Sequence, residues 1–365
     1  VASEHELSAA AVFTRNQAAA APVIVSREQL GQSDTMRAVV LNSGCANAAT
    51  GEQGIDDARA MVNAAARAVG CGHAEVLVCS TGGIGKPLPV KAVIDGIYSA
   101  AAELADDARA AERAAVAIMT TDTVPKQSSF TAQGFTVGGM AKGAGMVRPD
   151  MATMLVVLTT DAVATSAELD VALRSAVDTS FHGLNIDGCP STNDTVVLLA
   201  SGRSGVRPEV NQLTEAVNTV CWELSNQLAA DAEGATRVVT IEVCGAASDG
   251  VARNAGRLVS DSALVKAAFF GGDPNWGRLL GALGASSLKF NPDEFGVAYN
   301  GIDIARDGVG VEHDAEALHQ AIATGDFTVT MTIGAGPGQA RVITTDLTPD
   351  YVTFNAEYSL SLIHI

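Results

Sequence analysis

Positive charge is scarce in this chain. Lysines and arginines number 23 against 41 aspartates and glutamates, a formal net charge of −18 over 365 residues. A surface that acidic repels phosphate backbones and anionic headgroups, so neither nucleic acid nor membrane is expected as a partner. Cysteine pairs are missing as well. The six cysteines (Cys45, Cys71, Cys79, Cys189, Cys221, Cys244) are scattered, show no C-x-x-C spacing and form no zinc-like cluster with the six histidines. They read as reduced thiols of a cytoplasmic protein, and no metal is expected. No apolar run approaches the ~18 residues of a membrane span; the longest, such as Met154–Leu158, are strand-sized. The N-terminus lacks the basic-then-apolar pattern of a signal peptide. The chain opens on Val1 and soon enters a strand pattern at Ala11–Thr14, as expected of a fragment without its natural start. At the other end, Leu360–Ile365 (LSLIHI) matches one reading frame of a common sequencing adapter. Residues 360–365 are therefore expected to be read-through beyond a native end near Ser359.

What the chain does have is core material. Hydrophobic residues make up 47% of it, enough to rule out disorder as the main state, and its length fits two or three domains. Short apolar strands alternate with alanine-rich helical stretches. Met36–Leu41, Glu75–Cys79, Thr153–Leu158, Thr195–Ala200 and Thr236–Cys244 read as strands. Asp56–Val69, Val90–Met119 (broken once), Ser166–Thr179, Glu209–Ala232 and Gly250–Phe269 read as helices. Gly134–Gly145 is too rich in glycine for a helix. Phe327–Ile333 and Ala340–Thr345 are expected to pair as an antiparallel hairpin across Gly334–Gly338. The predicted class is α/β (α+β), with sheets that are partly antiparallel.

Few chemical motifs survive inspection. Thr81–Lys86 (TGGIGK) follows a strand, but Pro87 stands where a phosphate loop needs Ser or Thr, and the glycine spacing is wrong for a dinucleotide fold. What remains is a tight turn that exposes backbone N–H groups beside the Thr81 hydroxyl, a geometry able to hold an oxyanion. Lys142–Leu155 (KGAGMVRPDMATML) sets an Ala152–Thr153 bond at the head of a buried strand. Most threonines in such places only start the strand. The chemical alternative is a masked nucleophile. Thr153 Oγ attacks the Ala152 carbonyl, the acyl group shifts from N to O, and water cleaves the ester. The freed α-amine then serves as base to its own hydroxyl. Histidines offer no rival catalyst: neither G-x-S-x-G nor H-E-x-x-H occurs. Asn193-Asp194-Thr195 matches a glycosylation sequon that a cytosolic chain does not use, and Arg278 in DPNWGR is better explained as a turn anchor beside Trp276 than as a carboxylate binder.

Taken in order, NSGCANAATG (42–51), STGGIGKPLP (80–89), IMTTDTVP (118–125), GGMAKGAGMVRPDMATML (138–155), DGCPSTNDTVV (187–197), DAEGAT (231–236), DPNWGR (273–278) and YVTFNAEY (351–358) resemble the ornithine acetyltransferase (glutamate N-acetyltransferase) family of arginine biosynthesis. The likeness runs from Ala11 to Tyr358. It implies a self-cleaving enzyme with a layered α/β/β/α-type core and smaller α/β portions. The precursor would break between Ala152 and Thr153 into an α chain (1–152) and a β chain (153–365), assembled as a heterotetramer of two of each. Thr153 would carry acetyl from N-acetylornithine to glutamate by a ping-pong cycle. Thr81 and Gly82 would form the oxyanion hole, and Thr120, Lys142, Thr153, Glu233 and Asn355 the substrate site. No cofactor is implied. Some members also use acetyl-CoA as acetyl donor to glutamate, and no residue here decides between the two types. Two departures stand out: Ser359-Leu360 replaces the usual hydroxyl-bearing end after Glu-Tyr, and Arg237 stands where lysine is common. Two other readings compete. A related self-cleaving aminopeptidase or amidohydrolase generally exposes serine rather than threonine. An uncleaved binding protein would keep one intact chain, with Gly134–Gly145 a simple loop.

Overall fold

The computed structural model describes residues 1–33, 35–147 and 154–361, with side chains through Glu357. The chain forms two compact units, Val1–His182 with Cys189–Leu228, and Gly183–Gly188 with Ala229–Ile365. In the first unit the elements run β1 (Ala2–Phe13), α1 (Ala21–Gln32), β2 (Thr35–Asn42), α2 (Gly51–Val69), β3 (Val76–Ser80), α3 (Val90–Ala102), α4 (Ala108–Ala117), β4 (Lys126–Ala132), β5 (Phe135–Lys142), β6 (Leu155–Thr160), α5 (Ser166–Thr179), β7 (Thr195–Ala200) and α6 (Val210–Ala230). The second unit holds β8 (Val238–Ala246), α7 (Asp249–Ser260), α8 (Ala263–Gly271), α9 (Trp276–Gly284), β9 (Gly296–Tyr299), β10 (Ile302–Arg306), β11 (Val309–Gly310), α10 (Ala315–Ile322), β12 (Phe327–Thr332), β13 (Gly338–Thr345) and α11 (Pro349–Ser361). The class is α/β, as the alternating pattern predicts.

The first unit is built on a seven-stranded mixed sheet of order β3-β2-β1-β7-β6-β5-β4. Hydropathy decides who sits in the middle. All six residues of β7 (TVVLLA) are buried, as are five of the six in β6 (LVVLTT), and these β-branched and aliphatic runs take the centre. The mostly exposed β4 takes an edge. One face carries Leu7, Met36, Leu77, Met140, Leu155 and Val197. The other is covered by α2, whose Ala58, Met61, Val62 and Ala65 pack with Val76 and Val78. α2 stops at Gly70, which turns into the left-handed region (φ 69°) as helix ends commonly do.

The second unit has a six-stranded sheet, β11-β10-β9-β12-β8-β13, with Ile241, Val243, Phe269, Phe295, Tyr299 and Val329 in its core. Here two expectations fail. The segments 327–333 and 340–345 do form strands, but they are not a hairpin. β8 lies between them, parallel to β12 and antiparallel to β13. The glycine loop crosses over the end of β8, with Gly336 N–H donating to Gly245 O at 2.9 Å. A side chain at Gly336 would lie 2.2 Å from Ala246 O, so the glycines serve a crossing rather than a tight turn. The segment 250–269 is two helices, split at Asp261–Ser262, where Ser262 caps α8 by accepting from Val265 N–H. The glycine-dense stretch 134–145 is largely the strand β5, which pairs with β4 from Phe135 to Ala141.

Candidate active site

Strand β3 is buried throughout and ends at Ser80; the next residue, Thr81, is 1% exposed. The chain then turns sharply. Gly82 has φ 127°, and a Cβ there would lie 2.3 Å from the Gly44 carbonyl carbon, so only glycine fits this approach to the 44–46 loop. The turn is braced by backbone bonds donated by Thr81 to Asn42 O (3.0 Å), Gly83 to Gly44 O (3.3 Å) and Ala46 to Gly83 O (3.1 Å). A buried amide completes the brace: Asn193 Nδ2 donates to Ala46 O at 2.6 Å and Ser80 O at 2.8 Å. That role, with Asn193 only 4% exposed, is why the sequon is structural.

Lys142 ends β5 and is 1% exposed, with its ammonium donating to Thr81 Oγ1 at 3.3 Å. Thr120 lies in the loop before β4, and its N–H donates to Asp122 Oδ2 at 3.0 Å. Asp122 also faces Lys142 Nζ at 3.9 Å and pairs with Lys126 Nζ at 2.6 Å. Burial pushes the Asp122 carboxyl up, but the charges of Lys142 and Lys126 and the N–H of Gly143 outweigh it and hold the group below its ordinary range. Thr81, Thr120 and Lys142, far apart in sequence, are thus linked through one buried cluster. Sequence reasoning missed Asp122, Lys126 and Asn193. Asp122 lies in the matched segment 118–125 and Lys126 directly follows it, but nothing in the sequence tied either to Lys142.

Across the sheet, Lys142 is in register with Leu155, the first residue of β6. Met154 N–H donates to Asp194 Oδ1 at 3.1 Å. Asp194 is fully buried, and among the described residues no hydrogen bond within 3.5 Å reaches its Oδ2. Burial drives its carboxyl well above the ordinary range, against the Met154 N–H and the charge of Lys142. Ala152 and Thr153 lie outside the described residues.

The two other expected substrate residues belong to the second unit. Asn355, on α11, donates from Nδ2 to Glu233 Oε2 at 3.2 Å, so that pair is in contact. Arg237 donates to Ile322 O at 2.8 Å and Ala323 O at 3.4 Å at the end of α10. Arg278 reaches Leu264 O at 2.9 Å, the anchoring role expected of it. Among the described residues the six cysteines form no disulfide. Among the described residues no His, Cys, Asp and Glu group could hold a metal ion, and no helix is long and apolar enough to cross a membrane.

The first sheet draws strands from both sides of residues 152 and 153. Comparison with known proteins gives this geometry a family. The ArgJ family model matches residues 1–360. The arginine biosynthesis bifunctional protein ArgJ of Streptomyces coelicolor is 48% identical over 352 residues, covering 96% of this chain and 90% of that protein. Its namesake from Mycobacterium leprae is 47% identical over 360 residues, covering 97% and 88%. The crystal structure of the arginine biosynthesis bifunctional protein ArgJ of Bacillus halodurans is 31% identical with a TM-score of 0.52, over 55% of this chain and 97% of that one. On these matches the chain belongs to the ArgJ family, acetyltransferases of arginine biosynthesis.

Proposed function

We propose that the precursor cleaves itself between Ala152 and Thr153 and that Thr153 then moves acetyl from N-acetylornithine to glutamate in a ping-pong cycle. The observation that carries this reading is the register of β5 on β6. Lys142, with Thr81 on its ammonium, stands opposite Leu155, two residues beyond Thr153 in the chain. The oxyanion turn therefore meets a buried cation that stands at the entry to β6.

In the first half-reaction the α-amine of Thr153 takes the proton from its own Oγ, which attacks the acetyl carbonyl. The Thr81 hydroxyl accepts from Lys142, so its own proton is left to donate to the oxyanion, beside the Gly82 N–H. Collapse breaks the C–N bond, and ornithine leaves as its amine with the proton held by Thr153. Glutamate's amine attacks the acetyl ester by the reverse route and leaves acetylated. Lys142 suits a substrate carboxylate, and Glu233 suits an ammonium such as ornithine's. The cycle needs neither metal nor nucleotide, because the acyl donor is an amide. Acetyl-CoA enters only as an alternative donor to glutamate. We further propose a cytoplasmic heterotetramer of two α and two β chains.

Intact mass spectrometry of the purified protein beside Thr153→Ala tests the first step. Two chains, 1–152 and 153–365, in the wild type and one chain in the variant are expected. One uncut chain in both proteins would remove the nucleophile from the scheme. Release of acetate without acetylglutamate would turn the reading to a hydrolase.

A further inference from the structure

Glu233 and Asn355 are in contact, yet they come from segments far apart in the chain. Glu233 lies in the loop between α6 and β8, and Asn355 on α11. Asn355 Nδ2 donates to Glu233 Oε2 at 3.2 Å and to Tyr351 O, one turn earlier in the same helix, at 3.1 Å. Fixing this pair means fixing the loop against the start of α11.

Thr348 joins the two. It immediately precedes Pro349, the first residue of α11, and is 2% exposed. Its Oγ1 accepts from the Tyr351 N–H at 3.0 Å, the bond by which a threonine caps a helix, with proline in the favoured first position. The same hydroxyl donates at 2.6 Å to the carbonyl oxygen of Gly234, the residue after Glu233. One hydroxyl thus gives a lone pair to the helix and its proton to the loop. The approach is close: Gly234 has φ 65°, and a Cβ there would lie 2.3 Å from Tyr351 N. A second clamp stands two residues earlier. Buried Asp346 accepts at Oδ1 from the Thr236 N–H at 2.9 Å and at Oδ2 from the Thr236 hydroxyl. Lys266 in turn holds the end of β13, donating to Thr344 Oγ1 at 3.0 Å and to Thr345 O.

We propose that Thr348 is a positioning residue of the acetyl-transfer site, its hydroxyl bridging Gly234 O and the Tyr351 N–H so that Glu233 is held beside Asn355 to meet an ammonium-bearing acetyl donor. This assignment rests on the reading of Glu233 as the partner of ornithine's ammonium. Such a carboxylate favours a substrate with a cation at that end. Glutamate, whose side chain ends in a carboxylate, gains nothing from it. Loss of the bridge therefore weakens one half of the cycle and spares the other.

The test is steady-state transfer from N-acetylornithine to glutamate by matured wild type, Thr348→Val, Thr348→Ser and Glu233→Gln. In a ping-pong cycle kcat/KM for each substrate reports its own half-reaction, and the ratio of the two from one preparation cancels the amount of folded enzyme. In Thr348→Val, which keeps the shape and loses the hydroxyl, the ratio of N-acetylornithine to glutamate should fall about tenfold or more. In Thr348→Ser, which keeps the hydroxyl, it should return close to the wild-type ratio. A merely structural role lowers both kcat/KM values together. An unmoved ratio in Thr348→Val, or a serine variant as selective as the valine one, overturns the proposal. If Thr348→Val does not fold, Thr348→Ala decides alone on the same ratio. An unmoved ratio in Glu233→Gln condemns the reading of Glu233. A lowered ratio there with an unmoved one in Thr348→Val condemns the bridge alone, so the two failures are distinguishable.

Discussion

Asp194 shows how much a single buried carboxyl can cost. One of its oxygens holds Met154 N–H and, among the described residues, the other has no partner within 3.5 Å, so ionisation there is opposed by the loss of water without a full set of compensating bonds. The folded pKa is raised, so between the ordinary aspartate value of about 3.9 and that raised value the folded state keeps a proton that the unfolded chain has lost. Stability must then fall as pH rises through that window. Asp194→Asn cannot titrate, and its amide oxygen can still accept from Met154. Melting temperatures of both proteins measured from pH 5 to 8 should diverge, the wild type losing up to about 1.4 kcal/mol per pH unit more than the variant. Parallel curves would mean that the carboxyl ionises freely. Residues of this kind were the illegible part of the site. Thr81, Gly82 and Lys142 stand in motifs that can be matched along the chain. Asp194, Asp122 and Asn193 stand in matched segments too, but their roles are contacts across the fold, such as the 113 positions that separate Asn193 from Ser80, which no single segment reveals.

At the scale of elements, the turn after β3 is the sharpest demand on local sequence. Gly82 combines φ 127° with a contact of 2.3 Å for any added Cβ, whereas a Cβ at neighbouring Gly83 meets Lys86 Cδ at 3.8 Å and Gly44 O at 3.9 Å, both ordinary contacts. Gly82→Ala should therefore destabilise the protein by about 1–3 kcal/mol and abolish transfer, while Gly83→Ala should melt close to the wild type. Thermal denaturation of the two variants side by side checks this, and equal melting points would mean that the turn relaxes at little cost. Periodicity revealed most of these elements, because buried strands such as β7 and capped helices such as α5 carry their signal in a single window. It failed where a partner from elsewhere intervenes. Two apolar runs joined by glycines look like a hairpin from within, and nothing in residues 327–345 reports that β8 slips between them. Asp261–Ser262 was missed for a smaller reason. A two-residue break with a serine cap barely disturbs the apolar spacing on either side.

Strand order matters most for the whole molecule. The sequence order of β1 to β7 is not their order in space: β6 and β7 are inserted between β1 and β5. Cleavage after Ala152 would leave β1 to β5 on one polypeptide and β6 and β7 on the other, so the second chain's strands would occupy the middle of the first chain's sheet. β7 pairs with β1 over Ser8–Phe13 on one side, and β6 pairs with β5 over Val137–Lys142 on the other. Both ladders, and the buried faces of β6 and β7, would have to come apart before the chains could part. Nicking one connection between packed strands removes a covalent link but none of these contacts. The cleaved protein should therefore behave as one folded body. Size-exclusion chromatography of matured protein should give a single peak containing both chains in equal amounts, unchanged by dilution or by about 1 M salt, which screens surface charge but leaves buried ladders alone. The chains should separate only in denaturant, in the same transition that unfolds the sheet. Separation under native conditions would contradict the strand order itself, whereas the mass of the intact peak would report independently how many such pairs assemble.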